Sequence, residues 1–417
     1  GVGNYVASGT IANGATVILK DDGTVSTISA QSPSNPNQVE FDSDKCYDTN
    51  SLYIGSGKVV IVYRDGVNYE CTAIVGTISG TSITFGTPVV FDSSTTGGDF
   101  WSAYDSVNDK IVISYLVSYV IYDVVAWVSG TSISFGTPQN RGSGQRPAIT
   151  YTDSGAGKLI YAQAGNVKVG TINNSNNTVT WGSDIATGAS SVSYNALAFD
   201  TTNDRVAVFY TQSSTTYKLK LRVGTLSGSN ITFGSEIDIN DNNCQQVKAS
   251  ITSASNSSPN IPVVSYYVHG VGNYITAVQL TLGGGNTISG SVATEAWRSS
   301  STSNPAAPNL VTSDSSQELF TLTADKGKYN EAVVVATGGG SGTPSITTNN
   351  VVSLSYYSPS VSLNFWDRST SVWVPTVDKT CYIFMDDQSN DASYATLVTP
   401  YSTTLTADNY IGIAGEA

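Results

Sequence analysis

The sequence predicts an all-β protein, a β-propeller built of four-stranded antiparallel blades. Three observations carry the prediction. A phrase resembling VGTISGTSITFGT recurs along the chain. A second, unrelated phrase recurs between its copies at the same spacing, about 50 residues, which is the length of a propeller blade. No window keeps apolar residues at i, i+3, i+4 and i+7 over three turns, the pattern an amphipathic helix requires.

The first phrase reads VGTISGTSITFGT at 75–87, AWVSGTSISFGT at 126–137, VGTINNSNNTVTWGS at 169–183 and VGTLSGSNITFGS at 223–235. Its late aromatic falls at Phe85, Phe135, Trp181 and Phe233. The second phrase reads YIGSGKVVIVYRD, YDSVNDKIVISYL, YTDSGAGKLIYAQ and FDTTNDRVAVFYT, with its late tyrosine at Tyr63, Tyr115, Tyr161 and Tyr210. Two markers in step define one structural unit.

Each unit divides into four strands. An apolar stretch ending in Tyr-Asp or Phe-Asp is the first. Turns such as SVND and TTND follow, where Asn and Asp bond their own backbone and tolerate the left-handed conformation. Asp105 with Asp109, and Asp200 with Asp204, recur at this one place, which assigns them to turn chemistry rather than to catalysis. Dense β-branched runs, KIVISY or RVAVFY, suit a second strand buried on both faces. The third strand, TAIVGTI in the first copy, leads through SGTS or SGSN, with Gly80, Gly130 and Gly228 where a hairpin turn needs positive φ. The fourth, ITFGTPVVF, alternates apolar and polar residues until Gly86 and Pro88 weaken its pairing.

Less regular units follow residue 240. Residues 251–268 read as the first hairpin of a fifth unit, 309–324 as part of a sixth, and 360–387 as a seventh. Seven blades are expected, with six as the alternative. The domain reading is a β-hairpin module or ring-closing strands at 1–40, the propeller at 41–395, and a C-terminal strand segment at 396–417, to be completed by another chain or by a following domain. GNYVASGTIA (3–12) and DNYIGIAGEA (408–417) echo each other, so terminal strands that join one subunit to the next are a second expectation. The chain starts at Gly1 without a leader, which reads as a processed chain or a piece of a longer one.

Composition narrows the function. The net charge is -13, charged residues make up only 12 % of the chain, and basic residues form no cluster, which argues against nucleic acid as a partner. No apolar run reaches the ~20 residues of a membrane helix. Serine, threonine, asparagine, glycine and tyrosine dominate, as in extracellular or virion proteins.

Residues 59–93, VVIVYRDGVNYECTAIVGTISGTSITFGTPVVFDS, resemble a repeat of tail-fibre and other virion-associated proteins of marine and cyanobacterial bacteriophages. The two ends resemble the small β-modules that flank such repeats. The resemblance implies a virion or extracellular location, a structural and adhesive role, self-association or contact with other fibre subunits, and contact with host-surface polysaccharide. It hands over no catalytic residue.

Chemistry is sparse. His269 is the only histidine and has no Gly-x-Ser-x-Gly elbow beside it. The arginines are dispersed among the units, and no sialidase-type Ser-x-Asp-x-Gly-x-x-Trp turn occurs. No pair of carboxylates is singled out for glycoside hydrolysis. The chain is therefore expected to be non-enzymatic, with a polysaccharide-degrading propeller as the alternative. No Cys/His spacing suits zinc. The acidic loops 42–48, 238–243 and 386–391 could hold structural calcium, although none has the full ligand spacing of a known loop, and solvated turns are the preferred reading. Cys46 and Cys71 flank one hairpin-sized segment and are a candidate disulfide; the other reading is four buried thiols. Trp101, in GGDFWSAYD, follows a glycine-rich link between units and is the candidate ligand-binding residue, with packing between blades as the competing role.

Overall fold

In the computed structural model the chain forms two compact units, residues 36–400 and a smaller one made of 1–35 and 401–417. The structure describes residues 38–94, 97–144, 146–152, 157–213, 216–252, 261–271 and 274–289. It also describes the segments 6–7, 16–19, 24–27, 297–298, 309–313, 319–325, 330–336, 351–353, 370–377, 379–385, 392–398 and 410–413.

The larger unit is a β-propeller of small antiparallel sheets. Among the described residues seven sheets follow one another, and their first strands neighbour each other in a closed circle. Blade 1 runs through Cys46–Tyr53, Lys58–Asp65, Cys71–Ser79 and Ser82–Phe85. Blades 2, 3, 4 and 5 have inner strands Gly97–Asp105, Ala148–Thr152, Val192–Asp200 and Asn243–Thr252. Blade 6 starts at Asn309–Ser313. Blade 7 comprises Thr370–Val374, Lys379–Met385 and Ser393–Val398, and its outer strand is Gln38–Asp42 from near the other end of the sequence. One sheet thus joins residues more than 300 apart and closes the ring.

The second strands behave as their composition requires. Val59, Val60, Ile61, Val62 and Tyr63 are all buried, with one face turned to each neighbouring blade. The core is consequently a set of inter-blade slabs. One slab holds Val59, Ile61 and Cys46 against Val374 and Cys381 of blade 7. The next holds Val60, Val62 and Cys71 against Ile111 and Ile113 of blade 2.

The repeated tyrosine staples neighbouring blades together at Tyr63, Tyr115 and Tyr266, whereas Tyr161 donates to Gln163 and Tyr210 to Glu236 of its own blade. Tyr63, Tyr115, Tyr210 and Tyr266 are at most 1 % exposed, so each hydroxyl needs a partner in the protein. Tyr63 donates to Asp42 Oδ2 of blade 7 at 2.8 Å, and Tyr115 to Asp92 Oδ2 of blade 1 at 2.8 Å. Asn240 of blade 4 donates to Tyr266 Oη at 3.0 Å. Burial of these phenols raises the Tyr63 and Tyr115 pKa far above the usual phenol range.

The expected fourth strand is split. Ser82–Phe85 pairs with one half of the third strand and Val89–Asp92 with the other, and the break falls at Gly86 to Pro88. A Cβ on Gly86 would lie 2.1 Å from the Thr131 backbone oxygen, in the hairpin turn of the next blade. At Gly136 and Gly234 the corresponding contacts are Asn177 O at 2.7 Å and Asn286 O at 2.2 Å. The break is therefore a seat for the neighbouring hairpin, and only glycine leaves room for it. The hairpin glycines take the left-handed conformation, with φ of 60°, 61° and 62° at Gly80, Gly130 and Gly228. The repeated acidic turns also match their reading: Asp105 accepts from the Val107 and Asn108 amides and Asp200 from those of Thr202 and Asn203.

Between blades 2 and 3 the apolar pattern is replaced by a polar one. In blade 1 the slab-facing positions carry Ala73 and Phe91, and Phe91 stacks on Phe135 of the next blade at 4.9 Å. By strand register the same positions of blade 2 carry Asp123 and Arg141, and the partner is Trp181. The Arg141 guanidinium lies 5.2 Å from the Trp181 ring centre. Asp123 is fully buried, accepts from Ser114 Oγ at 2.6 Å and Trp181 Nε1 at 2.7 Å, and sits 3.2 Å from Arg141 Nε. That Nε–H is not aimed along the contact, so the pairing is coulombic.

In the smaller unit Thr16–Leu19 and Thr24–Thr27 form the expected N-terminal hairpin, in a sheet of order Val6–Ala7, Thr24–Thr27, Thr16–Leu19, Tyr410–Ile413. The C-terminal segment is therefore divided: Ser393–Val398 belongs to blade 7, while Tyr410–Ile413 is an edge strand paired with Thr16–Leu19 of the same chain.

Candidate functional site

The inner strands carry the site. Each begins at one rim of the ring, and in four of the first five blades the ladder is interrupted by a β-bulge near that start. The interruptions lie between Tyr47 and Asn50, Gly98 and Phe100, Val192 and Asn195, and Gln245 and Lys248. They fall opposite or beside Tyr63, Tyr115, Tyr210 and Tyr266, and all of these but Tyr210, which bonds Glu236 of its own blade, are hydrogen-bonded to the preceding blade. A bulge inserts extra residues into one strand and re-aims their side chains. Asp48, Asp99 and Gln246 sit in these bulges with φ of 53°, 48° and 53°, and Arg146 precedes the blade 3 strand with φ 44°. Non-glycine residues adopt this conformation at a cost and concentrate where side chains must be aimed.

Four consecutive blades aim into one cavity of about 170 Å³, lined by Asp99 and Trp101 of blade 2, Arg146 before blade 3, Tyr194 and Asn195 of blade 4, and residues 246–248 of blade 5. Trp101 is half-buried and the cavity, rather than a core slab, receives it. The Arg146 guanidinium stacks on the Tyr194 ring with its carbon 4.3 Å from the ring centre, and Asn195 Nδ2 donates to the Arg146 carbonyl at 3.0 Å. These contacts tie blade 3 to blade 4 and hold the cation at the cavity. Gln246 is only 9 % exposed and its side-chain oxygen has no hydrogen-bond partner. A buried acceptor left unmade costs about 1–3 kcal/mol, so a ligand hydroxyl that reached it would relieve that cost.

Arg64, Arg141, Arg205, Lys168, Lys218 and Lys220 each face a carboxylate. Arg146 and Lys248 have no carboxylate within ion-pairing distance among the described residues. Unpaired cations are not confined to this cavity, since Lys58, Lys110, Lys158 and Arg222 also have no carboxylate within ion-pairing distance among the described residues, but two such cations meet here. Among the described residues Asp99 is the only carboxylate in the cavity lining.

Other candidates from the sequence do not join this site. Cys46 and Cys71 are free, as are Cys244 and Cys381, which corrects the candidate disulfide. Cys46 pairs with Asp65 and Cys71 with Arg64, adjacent residues of the strand between them. Adjacent residues point to opposite faces of a sheet, so the two thiols lie in different slabs with a strand between them and cannot bond. His269 is exposed at the end of its strand, 3.4 Å from Asn243 Nδ2. In the acidic loops Asp42 accepts from Tyr63, while Asp238 and Asp241 pair with Lys220 and Lys218. No group of three or more His, Cys, Asp or Glu side chains converges among the described residues. The loop 386–391 lies outside them.

Trp101 was legible in the sequence because a glycine-rich break precedes an aromatic residue. Asp99, Arg146, Tyr194 and Gln246 were not, since a bulge adds only a one- or two-residue offset before each inner strand. Comparing those offsets between units would have been the available signal.

No protein-family model matches the chain, and no curated protein is similar to it in sequence. Solved structures are similar in fold. A protein from Lactobacillus plantarum is 12 % identical, with a TM-score of 0.51 over 82 % of this chain and 94 % of its own. The β-propeller domain of Cps50 (Swd1) from Myceliophteria thermophila is 7 % identical, with a TM-score of 0.51 over 87 % of this chain and 98 % of its own. At such identities the likeness concerns the fold alone.

Proposed function

We propose that this propeller is a non-enzymatic binding module that holds a saccharide in the Trp101 cavity, and that it serves as a structural and adhesive part of a phage tail fibre or similar extracellular appendage. The observation that carries the reading is the convergence of two aromatic rings, Trp101 and Tyr194, with amide, carboxylate and guanidinium groups from four blades. A pyranose has an apolar face for the rings and hydroxyls for the polar groups. A small number of placed polar groups among aromatic walls is the usual make-up of a small-ligand site. One carboxylate among the described lining residues favours binding over glycoside hydrolysis, which needs two across the scissile bond. The measurement is binding of the full chain to a glycan array and to host-surface polysaccharide, beside Trp101→Ala. Binding lost in the variant supports the reading; no binding to any saccharide ends it, and release of new reducing ends would transfer the protein to the enzymes.

A second reading concerns the smaller sheet, where Tyr410–Ile413 is an edge strand on Thr16–Leu19. The same ladder made between copies would join subunits into a filament by strand addition. Deleting residues 408–417 should abolish any concentration-dependent assembly seen by light scattering; unchanged assembly would exclude this route.

A further inference from the structure

We infer that the saccharide unit in the Trp101 cavity is an acidic one, a single pyranose ring bearing a carboxylate. This rests on the proposed saccharide binding and sharpens it. Size comes first. An enclosed volume of about 150 Å³ takes one six-membered ring such as benzene, and this cavity is about 170 Å³. It therefore accepts one sugar unit rather than a length of polymer, with the chain on either side running out over the rim.

Charge comes second. The protein is strongly acidic overall, at -13, and at long range repels an anionic polymer. Yet Arg146 and Lys248, both lacking a carboxylate partner among the described residues, face the same cavity. The Arg146 guanidinium is held by its stack on Tyr194, so its planar fork is preorganised before a ligand arrives. A carboxylate is planar and matches that fork with two parallel hydrogen bonds. Two cations converging on one cavity, against the single carboxylate of Asp99 among its described lining residues, favour an anion on the ligand.

Hydrogen-bond chemistry comes third and fixes which other groups the anion carries. The Gln246 oxygen is a buried acceptor without a donor. Acceptors require ligand donors, which sugar hydroxyls supply and a bare anion such as phosphate at neutral pH supplies poorly. The cavity thus presents cations and an acceptor together, and a hydroxylated carboxylate satisfies both.

The test compares one acidic polysaccharide, a polyuronate, with its own carboxyl-reduced form, so that only the charge differs. Titration calorimetry on the full chain should show the acidic form binding roughly ten- to a hundredfold tighter, the scale of charge-assisted over neutral hydrogen bonds. Lys248→Gln and Arg146→Gln should each remove most of that preference while residual binding of the reduced form persists. Arg146→Lys, which keeps the charge and loses the fork, should restore the preference only in part. Trp101→Ala should lose both ligands. Equal binding of the two forms would overturn the carboxylate assignment and leave saccharide binding standing. Tighter binding of a sulfated polymer than of the polyuronate would overturn it too. Binding of neither form, nor of any other saccharide, would remove the underlying reading as well. Unchanged thermal midpoints show that the variants act at the site; a variant that unfolds is replaced by a salt titration of the wild type, where indifference to ionic strength counts against the inference.

Discussion

Replacing Arg141 by Met leaves the Asp123 carboxylate buried without its cation. Asp123 is fully buried, and its remaining partners are the Ser114 hydroxyl and the Trp181 indole at 2.6 and 2.7 Å. Breaking a buried pair by removing one partner costs about 3–5 kcal/mol, and the low end applies because the Arg141 side chain is 20 % exposed. With an unfolding entropy of about 2.1 cal/mol/K per residue over about 365 residues, a loss of about 3 kcal/mol lowers the thermal midpoint by about 4 °C. The pH dependence identifies the cause. Burial already holds the Asp123 carboxyl above the usual carboxylate range, and hydrogen bonds from Ser114 and Trp181 and the Arg141 charge oppose it. Without Arg141 the folded-state value rises further, so the deficit is greatest near neutral pH and shrinks as pH falls through that raised value and the carboxyl takes up a proton. The triple variant Asp123→Ala, Arg141→Phe, Trp181→Phe copies the Ala73, Phe91 and Phe135 pattern of the preceding interface. It should recover to within about 1 kcal/mol of wild type, since apolar replacement of a whole buried ion cluster is often neutral or stabilising. Scanning calorimetry at fixed scan rate from pH 4 to 8 measures all of this. A deficit that does not change with pH would mean that lost packing of the arginine stem is responsible. A triple variant no better than the single one would refute the equivalence of the two interfaces.

Three other perturbations test the frame. Gly86→Ala should cost about 1–3 kcal/mol, because its Cβ meets the Thr131 backbone oxygen, which no side-chain rotation can move; Gly80→Ala, with open space around it, should cost only the left-handed backbone penalty of about 1 kcal/mol, and equal midpoints for the two would contradict the seat. Tyr115→Phe should lose about 1 kcal/mol at neutral pH. Burial pushes the Asp92 carboxyl up but hydrogen bonds from Ser94 and Tyr115 outweigh it and hold it below the ordinary value, so the stability it contributes is present above the unfolded carboxylate pKa and lost as pH falls through the lower folded value. The gap between Tyr115→Phe and wild type should accordingly close in strong acid, and a gap of constant size from pH 7 to 2.5 would exclude the Asp92 link. The four thiols should be unreactive toward a disulfide reagent in the native protein and reductant should leave the midpoint unchanged, since all are buried and burial pushes the Cys381 thiol up to about 12; rapid labelling of Cys46 or Cys71 would contradict their placement.

Strand content was legible because it is a local property. Alternation in ITF, the β-branched run KIVISY, and glycine at the hairpin positions each act within a few residues, and two phrases in step gave the length of the unit. The repeated Asp105 and Asp200 turns were correctly read for the same reason. Trp101 was visible as an aromatic after a glycine-rich break. The Cys46–Cys71 bridge failed because proximity in sequence says nothing about which face of the sheet a residue occupies, and that face follows from register with Arg64 and Asp65. The split of ITFGTPVVF was half visible: Gly86 and Pro88 announced a weakness, but the neighbouring hairpin that fills it belongs to another blade.

By itself the sequence determined the blade, its four strands, its turns and the apolar faces that blades bury against one another, because period-2 alternation and turn chemistry are encoded within short windows. Only the tertiary structure decided that Gln38–Asp42 closes the ring and that an ion cluster replaces the Phe91–Phe135 stack at one interface. It alone brought Asp99, Arg146, Tyr194 and Gln246 to the same cavity as Trp101. Those residues come from four blades, and their meeting depends on the angle between successive sheets and on one- or two-residue bulges, quantities that no single stretch of chain contains.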